Sequence, residues 1–257
     1  MAGVNCPFYD AAPKVNVVNC NLCGALVRRK AEIWDRYHLP VTLITCDCGL
    51  RFLSPRMTDE AYAEFYRDGH YRELVTRFVG RPVNHLTIES DQKRYAAKLS
   101  QFLAPYMDPL RSGLLLDVGG STGVVAERLM NDFDLDATVI EPSALEAGRA
   151  RDRGIAVAQV PASEYANGGN RYDLITLCRS VDHLLDIMGD LKRIAGWLKP
   201  AGLFFVDFVN VDQIKIDHPF YLTRKTMAEY LRRAGFEVVA QHPGDVRHIR
   251  TLARLAA

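Results

Sequence analysis

The sequence predicts an α/β fold built on a parallel sheet, and three observations carry that prediction. Leu114-Leu115-Leu116-Asp117-Val118 reads as a fully buried strand, too short and too punctuated for a helix. Gly119, Gly120 and Gly123 then allow a sharp turn and a close approach of ligand to backbone, and helical spacing resumes from Val124 to Met130. Ala137-Thr138-Val139-Ile140 is a second strand, and it ends in Glu141, about 20 residues past the loop, where an acid suits ribose hydroxyls. Free N–H groups at the helix start attract polar or anionic ligand atoms, so the unit is expected to hold a nucleotide-like cofactor.

The remaining elements follow in alternation. Ile155-Ala156-Val157 is a short third strand, Asn167-Gly168-Gly169-Asn170 a turn, and Tyr172-Asp173-Leu174-Ile175-Thr176-Leu177 a fourth strand. A helix over Ile187–Leu198 leads through Lys199-Pro200-Ala201-Gly202 to a fifth strand, Leu203–Phe208. A helix ending Arg232-Arg233-Ala234-Gly235-Phe236 precedes strands over Glu237–Ala240 and Val246–Leu255.

The N-terminal part is different in kind. Short apolar segments at Val15–Val18 and Val41–Thr45 read as small strands flanking Cys20-Asn21-Leu22-Cys23-Gly24 and Cys46-Asp47-Cys48-Gly49. A C-x-x-C-G knuckle followed at a distance by a second cysteine pair is a structural zinc signature. Cys20, Cys23, Cys46 and Cys48 are the expected ligands, with Cys6 or His38 as substitutes. So small a segment has little core, and the metal would contribute its folding energy. Thr58-Asp59-Glu60 opens a helical stretch with N-cap chemistry. It runs to about residue 107 with an amphipathic pattern of Tyr62, Phe65, Tyr66, Tyr71, Leu74, Tyr95, Leu99, Phe102 and Leu103, broken at Arg67-Asp68-Gly69-His70. Most of its aromatic residues are expected to pack; Tyr71, just after the break, is the candidate to face a ligand. Pro105 and Pro109 mark the next boundary.

The 257 residues suffice for one full α/β domain plus an appendage, and a net charge of +1 implies no general attraction to nucleic acid or membrane. No apolar run approaches the roughly 20 residues of a membrane span, and the polar N-terminus (Asn5, Asp10, Lys14) lacks a signal-peptide core. The expected compartment is the cytoplasm, where paired cysteines favour metal over disulfides.

The dinucleotide pattern G-x-G-x-x-G fails, because Ser121 and Val124 stand where glycines are needed. Asp117-Val118-Gly119-Gly120-Ser121-Thr122-Gly123 instead resembles motif I of class I S-adenosylmethionine-dependent methyltransferases, D-x-G-x-G-x-G, with Ser121 at the middle glycine. Cys48-Gly49-Leu50-Arg51-Phe52-Leu53-Ser54-Pro55-Arg56, followed by a helix ending Glu64-Phe65-Tyr66, resembles a subgroup with an N-terminal zinc ribbon found among sugar and small-metabolite tailoring enzymes. The resemblance covers nearly the whole chain, although C-x-C at Cys46–Cys48 departs from it. It implies a Rossmann-like, seven-stranded methyltransferase sheet in a chain organised as a zinc ribbon (1–57), a helical lid and linker (58–110) and a catalytic domain (111–257). It also implies that Asp117, Gly119, Gly120, Ser121, Gly123, Glu141 and Pro142 bind S-adenosylmethionine, with Glu141 on the ribose. No Asp stands where the family often holds adenine, leaving Ser163 or backbone groups. Cys178 ends the fourth strand, beside the transferred methyl. Asp182-His183-Leu184 is similar to the E-H-L run of many relatives. Asp217-His218-Pro219-Phe220 matches the acid-His-x-F pair of zinc-ribbon deoxysugar C-methyltransferases, in which the His is the base.

Transfer from a sulfonium is an in-line displacement that depends on alignment. A hydroxyl or an enolisable carbon also needs a proton removed, which suits His218 or His183 with a carboxylate such as Asp217 alongside. The expected acceptor is a small molecule, a sugar or sugar nucleotide of a surface-polysaccharide or natural-product pathway. The ribbon is then structural and helps wall the acceptor cleft. Three alternatives stand beside this reading: an RNA methyltransferase gripping RNA with the ribbon, a nicotinamide oxidoreductase, and a cofactor-binding module without turnover. Near-neutral charge and the lack of an N-P-P-Y-type run weigh against the first, and the failed dinucleotide motif against the second.

Overall fold

Residues 4–209, 213–242 and 248–256 are described by the structure, a computed structural model. The chain opens with a short helix, α1 (Pro7–Ala11), and a two-residue strand, β1 (Lys14–Val15), which pairs with β5 (Arg56–Met57). Between them, β2 (Lys30–Trp34), β3 (Pro40–Thr45) and β4 (Arg51–Leu53) form an antiparallel sheet. The strand expected over Val15–Val18 stops at Val15, because the chain leaves β1 to enter the knuckle: Val17 N–H donates to Ser54 Oγ at 2.8 Å, and Val27 N–H to Val18 O at 3.0 Å. β2 escaped sequence reading because Lys30 and Glu32 are exposed and only Ile33 is partly buried on this outer strand.

Three helices follow: α2 (Asp59–Arg67), α3 (His70–Val79) and α4 (His85–Leu103). Thr58 caps α2 by accepting from Ala61 N–H, and Asn84 with Thr87 forms a reciprocal capping box at α4. The break between α2 and α3 falls at Gly69, whose φ of 85° ends one helix and redirects the next. Tyr62 and Phe65 of α2 and Leu74 of α3 are buried in a cluster with Tyr9, Tyr37, Met57 and Tyr221. Helices α2 and α3 are thus packed onto the N-terminal sheet by their apolar faces, whereas Tyr95, Leu99 and Leu103 of α4 cluster with Leu115 and Leu129 of the larger sheet unit.

The central sheet contains β6 (Leu114–Val118), β7 (Asp136–Ile140), β8 (Ala156–Ala158), β9 (Tyr172–Cys178) and β10 (Leu198–Val209), all parallel. Helices α5 (Val124–Phe133), α6 (Ala144–Asp152) and α7 (Ile187–Trp197) make the crossovers. After β11 (Phe220–Tyr221) and α8 (Arg224–Arg233), β12 (Phe236–His242) and β13 (His248–Leu255) pair antiparallel, and β13 inserts beside β10. The order β12-β13-β10-β9-β6-β7-β8 is the expected seven-stranded mixed sheet. Val246, the expected start of the last strand, lies outside the described residues. β10 begins five residues before the expected Leu203, running through Lys199-Pro200-Ala201-Gly202 with a register shift between Leu198 and Leu203.

Two features position a site. The chain runs outward from β6 through β7 to β8, then returns to the other side of β6 with β9, so the carboxyl ends of β6 and β9 border the topological switch point. β11 pairs with β4, so the stretch carrying Asp217 and His218 leads into the N-terminal sheet. No helix among the described residues is long and apolar enough to cross a membrane.

Candidate active site

The loop after β6 forms one side of the switch-point crevice. Gly119 and Gly120 N–H groups both donate to Ile140 O, at 2.8 and 3.2 Å, which ties the loop to the end of β7. Gly119 has φ 70°, and a Cβ there would stand 2.8 Å from Ser180 Oγ. Gly123 has φ 76°, and a Cβ would meet Ile155 Cδ1 at 2.8 Å. Both glycines are therefore required by conformation and by packing. Asp117 is fully buried beneath the loop; Thr176 Oγ1 donates to its Oδ1 at 2.7 Å, while Oδ2 has no partner. Burial pushes this carboxyl up to about 6.

Glu141, at the end of β7, is buried and faces the same loop. Its Oε2 accepts from Ser121 N–H at 3.0 Å and its Oε1 from Ser143 N–H at 2.8 Å. Each oxygen retains a lone pair for a further donor. Burial first, then the neighbouring Glu146 carboxylate, pushes its pKa up to about 7. A carboxylate with two spare acceptor positions, an unpartnered Asp117 oxygen and a glycine loop fit the adenosine and amino-acid ends of S-adenosylmethionine.

Across the crevice, at the carboxyl end of β9, lies a second group of side chains. Tyr66 Oη, from α2, donates to Asp217 O at 2.6 Å and lies 2.5 Å from His183 Nδ1. The phenol has one proton and the carbonyl can only accept, so His183 Nδ1 must carry its own proton and donate to Tyr66. That leaves the His183 Nε2 lone pair free. The His183 and His218 rings meet edge to face with centroids 4.7 Å apart. His218 Nε2 lies 3.3 Å from Asp217 Oδ2 and 3.4 Å from Lys215 Nζ. Burial lowers both imidazole pKa values; His218, further opposed by His183, Lys215 and Arg36, lies well below its ordinary value. Asp217 acts in the opposite direction on His183. Burial thus favours the neutral form of both rings.

The 214–218 segment that carries this group is anchored by the N-terminal sheet. Asp35 Oδ2 accepts from Ile216 N–H at 3.0 Å, and Arg36 N–H donates to Ile214 O at 2.7 Å. Further from the crevice, the four knuckle sulfurs converge. Cys20 and Cys48 Sγ lie 3.6 Å apart, Cys23 and Cys46 Sγ 3.5 Å apart, and the four ligand atoms fall within 4.8 Å of one another. None of the four is in a disulfide. Tetrahedral zinc with sulfur at about 2.3 Å needs sulfurs about 3.8 Å apart, so the set fits. The shortened C-x-C pair brings both its sulfurs into the group. Cys6 packs instead with Tyr9 and Tyr37, and His38 is not among the four.

A family model for a methyltransferase domain matches residues 88–241, more than half of the chain. The chain belongs to the methyltransferase family. Its sheet order and glycine-loop motif are those of the class I, S-adenosylmethionine-dependent branch of that family. Over 111 residues it is 31% identical to a ubiquinone biosynthesis O-methyltransferase of Chelativorans sp. (strain BNC1), covering 40% of this chain and 42% of that protein. The chain thus spans less than half the length of the curated relatives it matches. An S-adenosylmethionine-dependent methyltransferase from Clostridium acetobutylicum superposes with TM-score 0.55 at 15% identity, over 74% of this chain and 99% of that one. The glycopeptide N-methyltransferase MtfA complexed with S-adenosylmethionine superposes with TM-score 0.52 at 16% identity, over 62% and 93%. At such identities the two structures speak for the methyltransferase fold alone.

Within this methyltransferase the expected residues fall into distinct places. Asp117, Gly119, Gly120, Ser121, Gly123 and Glu141 gather around one loop, with Pro142 half-buried beside Glu141. Cys178 ends β9, partly buried, its thiol pKa pushed well up by burial. Ser163 lies exposed on a short 3-10 turn, Ala162–Glu164, beyond β8. His183, Asp217 and His218 form a single cluster, which Tyr71 approaches with its ring 6.2 Å from that of His183. Sequence reading missed Tyr66, which touches the cluster directly, because its helical spacing is also that of a packing residue. It also missed Lys215, whose only signal is its position three residues before His218, and Arg72, the neighbour of Tyr71.

Proposed function

We propose that the chain transfers the methyl group of S-adenosylmethionine to a small-molecule acceptor, a sugar or sugar nucleotide, at a nucleophile that must lose a proton. The observation that carries this reading is an edge-to-face pair of imidazoles, His183 just past the carboxyl end of β9 and His218 against it, in a stretch whose Ser180 touches the Gly119 loop. Asp117, Gly119, Gly120, Ser121, Gly123 and Glu141 would hold the cofactor, which supplies an electrophilic methyl when bound. His183 Nε2 receives the acceptor's proton: Tyr66 fixes the tautomer, and the Asp217 charge stabilises the imidazolium. His218, favoured by its sequence pairing with Asp217, supports the ring of His183 and lines the acceptor side. Tyr66 and Tyr71 cover the cluster and help exclude water. Titration calorimetry tests the cofactor half, and a panel of nucleotide sugars and RNAs monitored for S-adenosylhomocysteine release tests the acceptor half. Failure of folded protein to bind S-adenosylmethionine would sink the reading.

Cofactor affinity should depend on pH with a defined sign. Glu141 with a pKa near 7 is partly protonated at neutrality, whereas two ribose hydroxyls demand a carboxylate. Binding should tighten as pH rises from about 6 to about 8, releasing a proton on binding below pH 7. Glu141→Gln should bind more weakly and lose most of this dependence in calorimetry.

The four cysteines would hold one structural zinc ion. Asn21, within the knuckle, accepts from Tyr230 Oη at 2.9 Å and donates to Asp186 Oδ1 at 2.8 Å, seating the knuckle on α7 and α8. The same N-terminal unit anchors Ile216, so the ribbon supports the acceptor side rather than touching the methyl donor. Purified protein should contain about one zinc per chain. Cys20→Ser should lower that content severalfold and reduce the melting temperature; metal analysis showing no zinc in the wild type would remove the assignment.

A further inference from the structure

Ser121 is the one residue of the glycine loop that departs from the family motif, and the structure gives it two tasks. Its N–H donates to Glu141 Oε2 at 3.0 Å, while its Oγ donates to Glu146 Oε2 at 2.6 Å. A glycine could make only the first bond. The other oxygen of Glu146 accepts from Arg72, with Nη2 at 2.6 Å and Nε at 3.1 Å. Arg72 belongs to α3, the lid helix, and Glu146 to the first turn of α6, 74 residues further along the chain. The two side chains are only 29% and 12% exposed, so their attraction is little screened.

The chain of contacts therefore runs from the lid to the ribose-facing acid: Arg72, Glu146, Ser121, Glu141. Gln92 of α4 strengthens it, donating to Ser121 Oγ at 3.4 Å and accepting from Thr122 Oγ1 at 2.9 Å. Arg72 also follows Tyr71, whose ring lies 5.4 Å from that of Tyr66 and faces His183. One turn of α3 thus spans both halves of the site. This tie fastens α3 to the loop and helix flanking Glu141, which is only 7% exposed, so exchange of a ligand held there needs the contact to open.

We propose that Arg72, Glu146 and Ser121 form a latch that holds α3 shut over bound S-adenosylmethionine and sets the rate of cofactor exchange. Arg72 is a positioning residue here, acting through Glu146. The inference rests on the methyltransferase reading above, and its test separates the two.

Release of radiolabelled S-adenosylmethionine, chased with unlabelled cofactor, reads the latch without any acceptor. Arg72→Met and the near-isosteric Glu146→Gln should each release cofactor about tenfold faster than wild type, and the double variant no faster than the faster single one. Ser121→Gly, which leaves the ion pair but unties it from the loop, should give about a threefold increase. Release within twofold of wild type in both singles, or effects that multiply in the double variant, would overturn the latch. A wild type that binds no cofactor overturns the methyltransferase reading itself, whereas tight binding with unchanged release in the variants overturns the latch alone.

Discussion

Gly119→Arg should abolish measurable cofactor binding, raising the dissociation constant at least about 100-fold, or about 2.7 kcal/mol. Two independent costs combine at this position. The backbone has φ 70°, a conformation that a side chain disfavours, and the first carbon of any side chain would lie 2.8 Å from Ser180 Oγ and 3.0 Å from its Cβ. Ser180 cannot retreat freely, because its Oγ donates to Cys178 O at 2.9 Å at the end of β9. The arginine must therefore shift the loop or enter the crevice between β6 and β9. Either displaces the surface that would meet the cofactor. Gly119→Ala carries the same backbone and Cβ costs without the long side chain, so its smaller effect separates loop strain from occlusion. Calorimetry on variants with wild-type circular dichroism decides; an unchanged dissociation constant in folded Gly119→Arg removes the loop from the site.

His183→Ala should lower turnover by about 10²- to 10⁴-fold while leaving the cofactor dissociation constant within about twofold, the signature of a lost proton acceptor rather than a lost binding contact. Tyr66 gives its single proton to Asp217 O, so His183 donates through Nδ1 and presents Nε2 unprotonated. His218 lies deeper in charge conflict: its Nε2 faces a carboxylate that takes a proton and an ammonium that gives one, both at more than 3.2 Å. His218→Ala should cost less, about tenfold, through the support it gives His183. Tyr66→Phe removes the hydroxyl that fixes the tautomer and should lower kcat with little change in KM. Initial rates of S-adenosylhomocysteine release check all three. A larger loss in His218→Ala than in His183→Ala would return the role of base to His218.

Much of the molecule was readable because its cues are local. The strand Leu114–Val118 announces itself by an apolar run, the turn by Gly119 and Gly123, and helices α2 to α4 by aromatic spacing with Thr58 as cap of the first. The place of Glu141 just past β7 followed from its distance beyond the loop, and the meeting of four cysteines from their spacing even where C-x-C is one residue short. β2 was not readable, because Lys30 and Glu32 line an exposed outer strand and leave no burial pattern. Tyr66 was not readable either. A tyrosine at helical spacing is indistinguishable from a packing residue until the residue it touches, 117 positions away, is known.

The sequence alone therefore specifies the α/β alternation, the cofactor loop and the family, since each depends on residues within a few positions or on fixed short spacings. Tertiary structure alone decides the acceptor side. His183, Asp217 and Tyr66 come from three separate stretches and meet only because the 214–218 segment is anchored to Asp35 while α2 packs against the same core. It also decides what Ser121 does. In the sequence that residue is a flaw in a glycine motif; in the fold its hydroxyl and N–H join the lid to the end of β7, because folding alone brings Arg72, Glu146 and Glu141 to one place.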